Sequence, residues 1–240
     1  MLGWLRRRPI PTIEVDLHSH LIPGIDDGVK SVDDSIEIIR KFSELGYLKV
    51  ITTPHIHPNY PNTSEIIKKG LQKVQERLEE EEFLFEIEAA AEYFVDDLFF
   101  DRVKGNSEIL SFGNKYVLVE SSFLNKPLFF ESCLFELMAK GYTPVLAHPE
   151  RYRFLEGDIE WLEQLRVSGV LMQVTISSFA GYYGEIPKSI AQKLYKKGMI
   201  DFLGSDLHRR EQLEYLKAGL MQKEVEKLCK SSHLKNSELL

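Results

Sequence analysis

Short runs rich in valine, isoleucine and leucine recur along this chain, and amphipathic stretches separate them. The runs fall at about 13–18, 49–54, 85–91, 116–121, 143–147, 170–176 and 200–204. Lys49-Val50-Ile51-Thr52-Thr53, Tyr116-Val117-Leu118-Val119-Glu120 and Val170-Leu171-Met172-Gln173-Val174 are representative. Near-continuous apolar runs of this length predict parallel strands buried on both faces. Between the first two, Ile36, Ile38, Ile39, Phe42 and Leu45 form one apolar helical face over 33–45. Ser31 with Asp34 is an N-terminal capping signal, and Gly46 a stop. Residues 63–82 predict a second, highly charged helix, and Gly141 and Gly198 end later ones. Alternating strands and helices with short connections predict an α/β chain whose seven strands close, or nearly close, into a parallel barrel.

No linker, low-complexity segment or repeat interrupts this rhythm. The expected organisation is one domain over 1–240. A basic leader occupies 1–12, and from about 211 to 240 one further helix frays into a tail.

Composition narrows the function classes. The chain is 43% hydrophobic and 28% charged, with no apolar run of membrane-spanning length. A net charge of −7 argues against binding nucleic acid through a basic surface. An acidic protein can still hold a phosphate if bound cations reverse the local field. The two cysteines, Cys133 and Cys229, lie in helix-like stretches without a CxxC, so a reducing cytoplasm is expected and a disulfide is not. The leader carries Trp4 and Arg6-Arg7-Arg8 but no apolar signal core, and reads as solvated.

The polar residues are informative where they end the apolar runs. Asp16-Leu17-His18-Ser19-His20 closes the first, and residues i and i+2 of an extended segment face the same side. Similar residues recur at or just past later strand ends: His55, Glu92, Glu120, His148, Asp206 and His208. Active sites of parallel barrels are built at that mouth. A lone strand-end histidine is ordinarily structural, but so many on one face predict a multi-metal site. Imidazole and carboxylate donors suit zinc, manganese or iron, and no cysteine is placed to make a structural zinc site.

Asp26-Asp27 lies in the loop Pro23-Gly24-Ile25-Asp26-Asp27-Gly28. One carboxylate can fold back to the metals while the other serves the turn. Glu88 competes with Glu92 if its strand runs regularly. His57 is expected behind the ligands or exposed, and His233 inert in the tail. Tyr182-Tyr183-Gly184 is expected at the rim.

Taken together, Asp16-Leu17-His18-Ser19-His20, Pro23-Gly24-Ile25-Asp26-Asp27-Gly28, Thr53-Pro54-His55, Ala91-Glu92-Tyr93, Ala147-His148-Pro149-Glu150-Arg151-Tyr152 and Gly204-Ser205-Asp206-Leu207-His208 resemble the polymerase-and-histidinol-phosphatase (PHP) superfamily. Within it, residues 14–220 resemble the bacterial capsule and exopolysaccharide protein-tyrosine phosphatases. The resemblance implies a distorted seven-stranded (β/α)7 TIM-like barrel of the PHP type with three divalent metals, manganese above iron or zinc. It carries ligand roles to His18, His20, Asp27, His55, Glu92, Glu120, His148, Asp206 and His208. One metal would take His18, His20, Glu92 and Asp206. Glu92 would bridge to a second with Glu120 and His148, and Asp27, His55 and His208 would hold the third.

The implied reaction is hydrolysis of phosphotyrosine by a metal-activated hydroxide. Arg151 is the expected phosphate clamp, because its planar fork matches two phosphate oxygens. Its alternative is a surface ion pair with Glu150. Arg209 or Arg210 would be a second clamp. No Cys-x5-Arg signature supports a cysteine mechanism. The implied partner is a membrane-associated tyrosine kinase of capsule or exopolysaccharide synthesis. The enzyme itself is expected in the cytoplasm, with recruitment to the inner membrane face open. Two rivals share these residues: a small-molecule phosphomonoesterase of the histidinol-phosphatase kind, and a non-catalytic, metal-stabilised binding module.

Overall fold

The structure, a computed structural model, describes residues 13–105, 107–155 and 157–240. Among them run nine strands: β1 (Val15–Asp16), β2 (Lys49–Thr52), β3 (His55–Ile56), β4 (Glu86–Ala89), β5 (Glu92–Phe94), β6 (Tyr116–Glu120), β7 (Thr143–Ala147), β8 (Leu171–Thr175) and β9 (Phe202–Gly204). All ladder pairs are parallel, in the orders β1-β2-β4 and β3-β5-β6-β7-β8-β9. The count exceeds the expected seven because two runs break in the middle. The second divides at Thr53-Pro54 and the third at Ala90-Ala91. Proline has no N–H to give a ladder. Across the breaks the staves stay in step: the Ala90 N–H donates to the Thr52 carbonyl at 2.9 Å and the Glu92 N–H to the Pro54 carbonyl at 3.1 Å.

The seven staves thus form a distorted (β/α)7 barrel whose first and last staves meet without a ladder. Near the mouth, the Asp206 N–H donates to the His18 carbonyl at 2.7 Å and the His20 N–H to the Leu207 carbonyl at 2.9 Å. The Ser205 N–H and hydroxyl both donate to the buried Asp16 carboxylate. Burial pushes the Asp16 carboxyl up to about 7, against the pull of these Ser205 hydrogen bonds.

The helices on the chain's outer side are α1 (Val32–Glu44), α2 (Ser64–Glu80), α3 (Asp97–Lys104), α4 (Phe130–Ala139), α5 (Glu160–Val167), α6 (Glu185–Lys196), α7 (Leu213–Leu220) and α8 (Lys223–Cys229). The expected start of α1 is present as a reciprocal capping box between Ser31 and Asp34. Strand residues alternate between two cores. Val50, Val117, Val119, Leu146, Met172, Val174 and Leu203 pack outward with the helices. Val15, Ile51, Ala90, Leu118, Val145 and Phe202 fill the inside. Both faces are dry, which is why the strands read as continuous apolar runs.

The C-terminal region differs from the expected single helix and fraying tail. It makes two helices, α7 and α8, followed by a short 3-10 turn at Asn236–Leu239. Leu239 is 3% exposed inside the inner core. The buried Asn236 amide donates to the Val15 and Leu203 carbonyls at 2.9 and 2.7 Å, and accepts from the Leu203 N–H at 3.0 Å. One side chain therefore joins β1 to β9 where no ladder does. The basic leader lies outside the described residues. Among the described residues, no helix is long and apolar enough to cross a membrane.

A candidate metal centre at the barrel mouth

Glu92 and Glu120 lie on the inward rows of Ala90 and Leu118, one step further toward the mouth. Parallel register sets β3 beside β5, with His55 opposite Glu92. His148 and Asp206 end their staves differently. Both have left-handed backbone, with φ of 34° and 52°. Non-glycine residues rarely adopt it, and such strain concentrates at functional sites. The turn at Gly28 also admits no side chain, because a Cβ there would sit 2.3 Å from the His20 carbonyl oxygen.

These positions converge. The Nε2 atoms of His18 and His20 face each other at 3.4 Å. Glu92 Oε2 lies 3.3 and 3.5 Å from them, and Asp206 Oδ1 3.4 and 3.6 Å. His55 Nδ1 is 3.0 Å from Glu92 Oε2 and 3.1 Å from Glu120 Oε1. His148 Nε2 approaches Glu92 Oε1 at 2.8 Å. On the outer side, Asp27 Oδ1 lies 3.5 Å from His55 Nε2 and 3.4 Å from His208 Nε2. All nine expected donors are thus brought together, with Glu92 central. Donor atoms fall within 4.8 Å of one another in three overlapping groups: His20, Asp27, His55 and His208; His18, His20 and Glu92; His55, Glu92 and Glu120.

Whether cations fit can be read from the donors themselves. With Nδ1 of each ring donating elsewhere, the Nε2 atoms of neutral His18 and His20 are both acceptors and cannot satisfy each other. Although close, His55 Nδ1 and Glu92 Oε2 lack hydrogen-bond geometry and are orphaned, as is His148 Nδ1. Buried polar atoms are ordinarily paired. A cation amid nitrogen and oxygen donors would satisfy the facing atoms, so the residues fit divalent metals.

Electrostatics agrees. For His20, burial and the nearby His55 favour the neutral ring, but Asp26 and Asp206 prevail and push it up to about 9. His55 is raised despite burial, by Glu92, Asp27 and Glu120. Burial opposes ionisation of Glu92 and Asp206, yet imidazoles beside both, and Arg151 beside Asp206, hold them well below the usual carboxylate range. The site draws in positive charge, and protons take the role that cations would.

Asp26 and Asp27 meet different partners. Asp27 reaches the imidazoles, while buried Asp26 accepts from His20 Nδ1 at 2.9 Å and from the His55 and Gly28 N–H groups. Asp26 is lowered to about 2, with burial overcome by His20. Glu88 points away and pairs with Lys49 at 2.9 Å. His57 packs edge-on against Phe94, and its Nδ1 accepts from the Asn59 N–H. His233 is exposed.

Arg151 does not pair with Glu150. It bonds Asp206, and its guanidinium carbon lies 4.7 Å from the Phe123 ring centroid and 4.2 Å from that of Tyr183. Glu150 turns inward to accept from the Thr175 N–H and the Ser178 hydroxyl. Arg210 pairs with Glu37 at 2.6 Å, and Arg209 is exposed. The rim expectation at Tyr183 gains a partner, since its hydroxyl donates to Asp206 Oδ2 at 3.0 Å. Cys133 packs in the outer core, where burial pushes its thiol up to about 12.

Sequence reasoning missed Gln173. Its Oε1 accepts from His18 Nδ1 at 2.8 Å and lies 3.4 Å from the His148 N–H. The available signal was a polar amide inside the apolar run of β8, fully buried here.

A sequence model of the CpsB/CapC family, described as capsular polysaccharide synthesis, matches residues 14–237. The chain belongs to this family. CpsB/CapC relatives include the tyrosine-protein phosphatase YwqE of Bacillus subtilis (strain 168), 32% identical over 198 residues, covering 81% of this chain and 77% of the relative. The tyrosine-protein phosphatase CpsB of Streptococcus agalactiae is 26% identical over 202 residues, covering 81% and 82%. Among solved structures, one from a study of YwqE from Bacillus subtilis and CpsB from Streptococcus pneumoniae, described as unique metal-dependent tyrosine phosphatases, superposes with a TM-score of 0.81. It is 27% identical and covers 91% of this chain and 92% of its own.

Proposed function

We propose that this CpsB/CapC chain is a metal-dependent protein-tyrosine phosphatase. The observation carrying the proposal is the convergence of orphaned nitrogen and oxygen donors around Glu92, with a guanidinium beside them. His18, His20, Asp27, His55, Glu92, Glu120, His148, Asp206 and His208 are the proposed ligands, for three divalent ions with manganese first. Bound ions would lower the pKa of water and offset charge on the phosphoryl oxygens.

The chain's own groups do the rest. Gln173 and Asp26 hold the rings of His18 and His20 with Nε2 turned into the donor cluster, where metals would bind. Phe123 and Tyr183 fix the plane of Arg151, whose remaining N–H groups would donate to the equatorial phosphate oxygens as charge spreads over them. A tyrosyl leaving group has a pKa of about 10, so its departure requires little protonation. The partner proposed from kinship is a tyrosine-phosphorylated kinase of capsule or exopolysaccharide synthesis, met at the inner face of the membrane by an enzyme of the cytoplasm.

Turnover of a phosphotyrosine peptide and of histidinol phosphate, before and after chelation, tests this. The peptide should be the better substrate, chelation should abolish turnover, and manganese should restore it. Full activity in a verified metal-free sample would sink the proposal. Preference for histidinol phosphate would transfer the site to small phosphomonoesters.

A further inference from the structure

We infer that the cleft beside the donor cluster is the docking site of the substrate polypeptide. It takes an extended segment with apolar side chains next to the phosphotyrosine. The inference rests on the phosphatase reading and adds what flanks the reacting group.

A cavity of about 1090 Å³ opens between the β6–α4 loop, the run after His148 and the start of α6. None of the nine donor residues lines it, but Arg151 and Tyr183 do, and both bond Asp206. The cleft is therefore continuous with the candidate centre through the guanidinium that would hold the phosphate. Phe123, the other face of that guanidinium sandwich, is also part of its wall. A phosphoryl group held at Arg151 leaves its ester ring beside Phe123 and Tyr183, and the chain bearing that ring runs on into the cleft.

The size and chemistry of the walls indicate the occupant. Pockets of roughly 300–1000 Å³ hold whole drug-sized molecules, so one phosphate ester would leave this cleft largely empty. Leu124 and Ile186 line the cavity and are 62% and 65% exposed. Leucine and isoleucine left this far in water gain by being covered. Arg153 also lines the cavity, is exposed, and has no carboxylate partner among the described residues, unlike Arg151. Glu185, also exposed on this wall, offsets Arg153 in net charge, so the walls select chiefly by apolar contact: they match an extended peptide bearing aliphatic or aromatic residues, with an acidic residue only where it meets Arg153.

The test compares two substrate sizes on the manganese-loaded enzyme, wild type and L124S/I186S. The substrates are p-nitrophenyl phosphate, a phosphotyrosine peptide flanked by leucine and glutamate, and the same peptide flanked by glycine and serine. Both substituted side chains are exposed, so the fold should tolerate the changes. The wild type should prefer the leucine-flanked peptide by about tenfold in kcat/KM, as covering one aliphatic side chain predicts. In L124S/I186S that preference should shrink, through KM, to the part that Arg153 contributes by meeting the glutamate, while turnover of p-nitrophenyl phosphate is unchanged. R153E should weaken only the glutamate-bearing peptide. Equal loss on all three substrates, or no loss on any, would overturn the docking assignment. A wild type that hydrolyses none of them would instead overturn the phosphatase reading, and the inference with it.

Discussion

At the scale of single residues, the centre depends on which nitrogen of each ring is already engaged. His18 gives Nδ1 to Gln173, His20 to Asp26, and His208 to the Asp206 carbonyl at 3.0 Å. Each leaves Nε2 free on the opposite edge, so a partner behind the ring decides where the donor points. Gln173→Leu should therefore weaken manganese affinity by about 10–100-fold while the barrel persists. Competition with a metal-sensing dye and circular dichroism measure the two effects. Unchanged affinity would mean that His18 is oriented without the amide.

The role proposed for Arg151 is toward substrate instead. Arg151→Ala should lower kcat/KM on a phosphotyrosine peptide by about one to two orders of magnitude, as about 1.5–3 kcal/mol for a charge-assisted hydrogen bond implies. Metal content should stay the same. Arg151→Lys should recover only part, because a point charge cannot replace the fork. Full activity in Arg151→Ala would shift the clamp to Arg209 or Arg210.

At the scale of elements, the site exists because staves stop or break at one level. Pro54 interrupts the second stave just before His55, and Ala90-Ala91 the third just before Glu92. The left-handed turns at His148 and Asp206 end the fifth and seventh. Elements behind the mouth must then pack closely. In α7, a Cβ on Gly219 would lie 2.4 Å from the Ile176 carbonyl oxygen, in the turn that follows β8. That neighbour is backbone and cannot rotate away. Gly219→Ala should cost about 1–3 kcal/mol of stability, the usual range for overpacking. A denaturant melt would register it as a lower midpoint. An unchanged midpoint would show that α7 can slide without loss.

At the scale of the whole molecule, the barrel is drawn together at both ends. Asn236 joins β1 to β9 at the bottom, and the donor cluster gathers several staves at the top. Glu92 Oε2 and Asp206 Oδ1 face the Nε2 atoms of His18 and His20 across distances too long for good hydrogen bonds. Ions that bind only the folded arrangement should stabilise it by mass action. Chelation should therefore lower the melting temperature by several degrees, and excess manganese should restore it. A melting temperature indifferent to both would indicate that the cluster holds no ion of consequence for folding. Acidification should act in the chelator's direction, because protons and metals compete for the same nitrogens.

The sequence by itself determined the seven staves, the capping box at Ser31 and the residues that meet at the mouth. Strands dry on both faces must be apolar throughout, so a histidine or carboxylate at their ends stands out in one dimension. Tertiary structure alone decided the remainder. Lys49 lies inside an apolar run, yet it is held by Glu86 and Glu88 across a register that only pairing creates. The roles of Asp26 and Asp27 separated only once the loop had folded over His20. Gln173 looked like one polar residue in a strand until β8 took its place between β7 and β9. Asn236, in a polar tail, became buried because β1 and β9 meet there without a ladder to satisfy their carbonyls. Periodicity and end chemistry are local and survive in the sequence. Which polar atom answers which unpaired group is settled only by contacts between residues far apart along the chain.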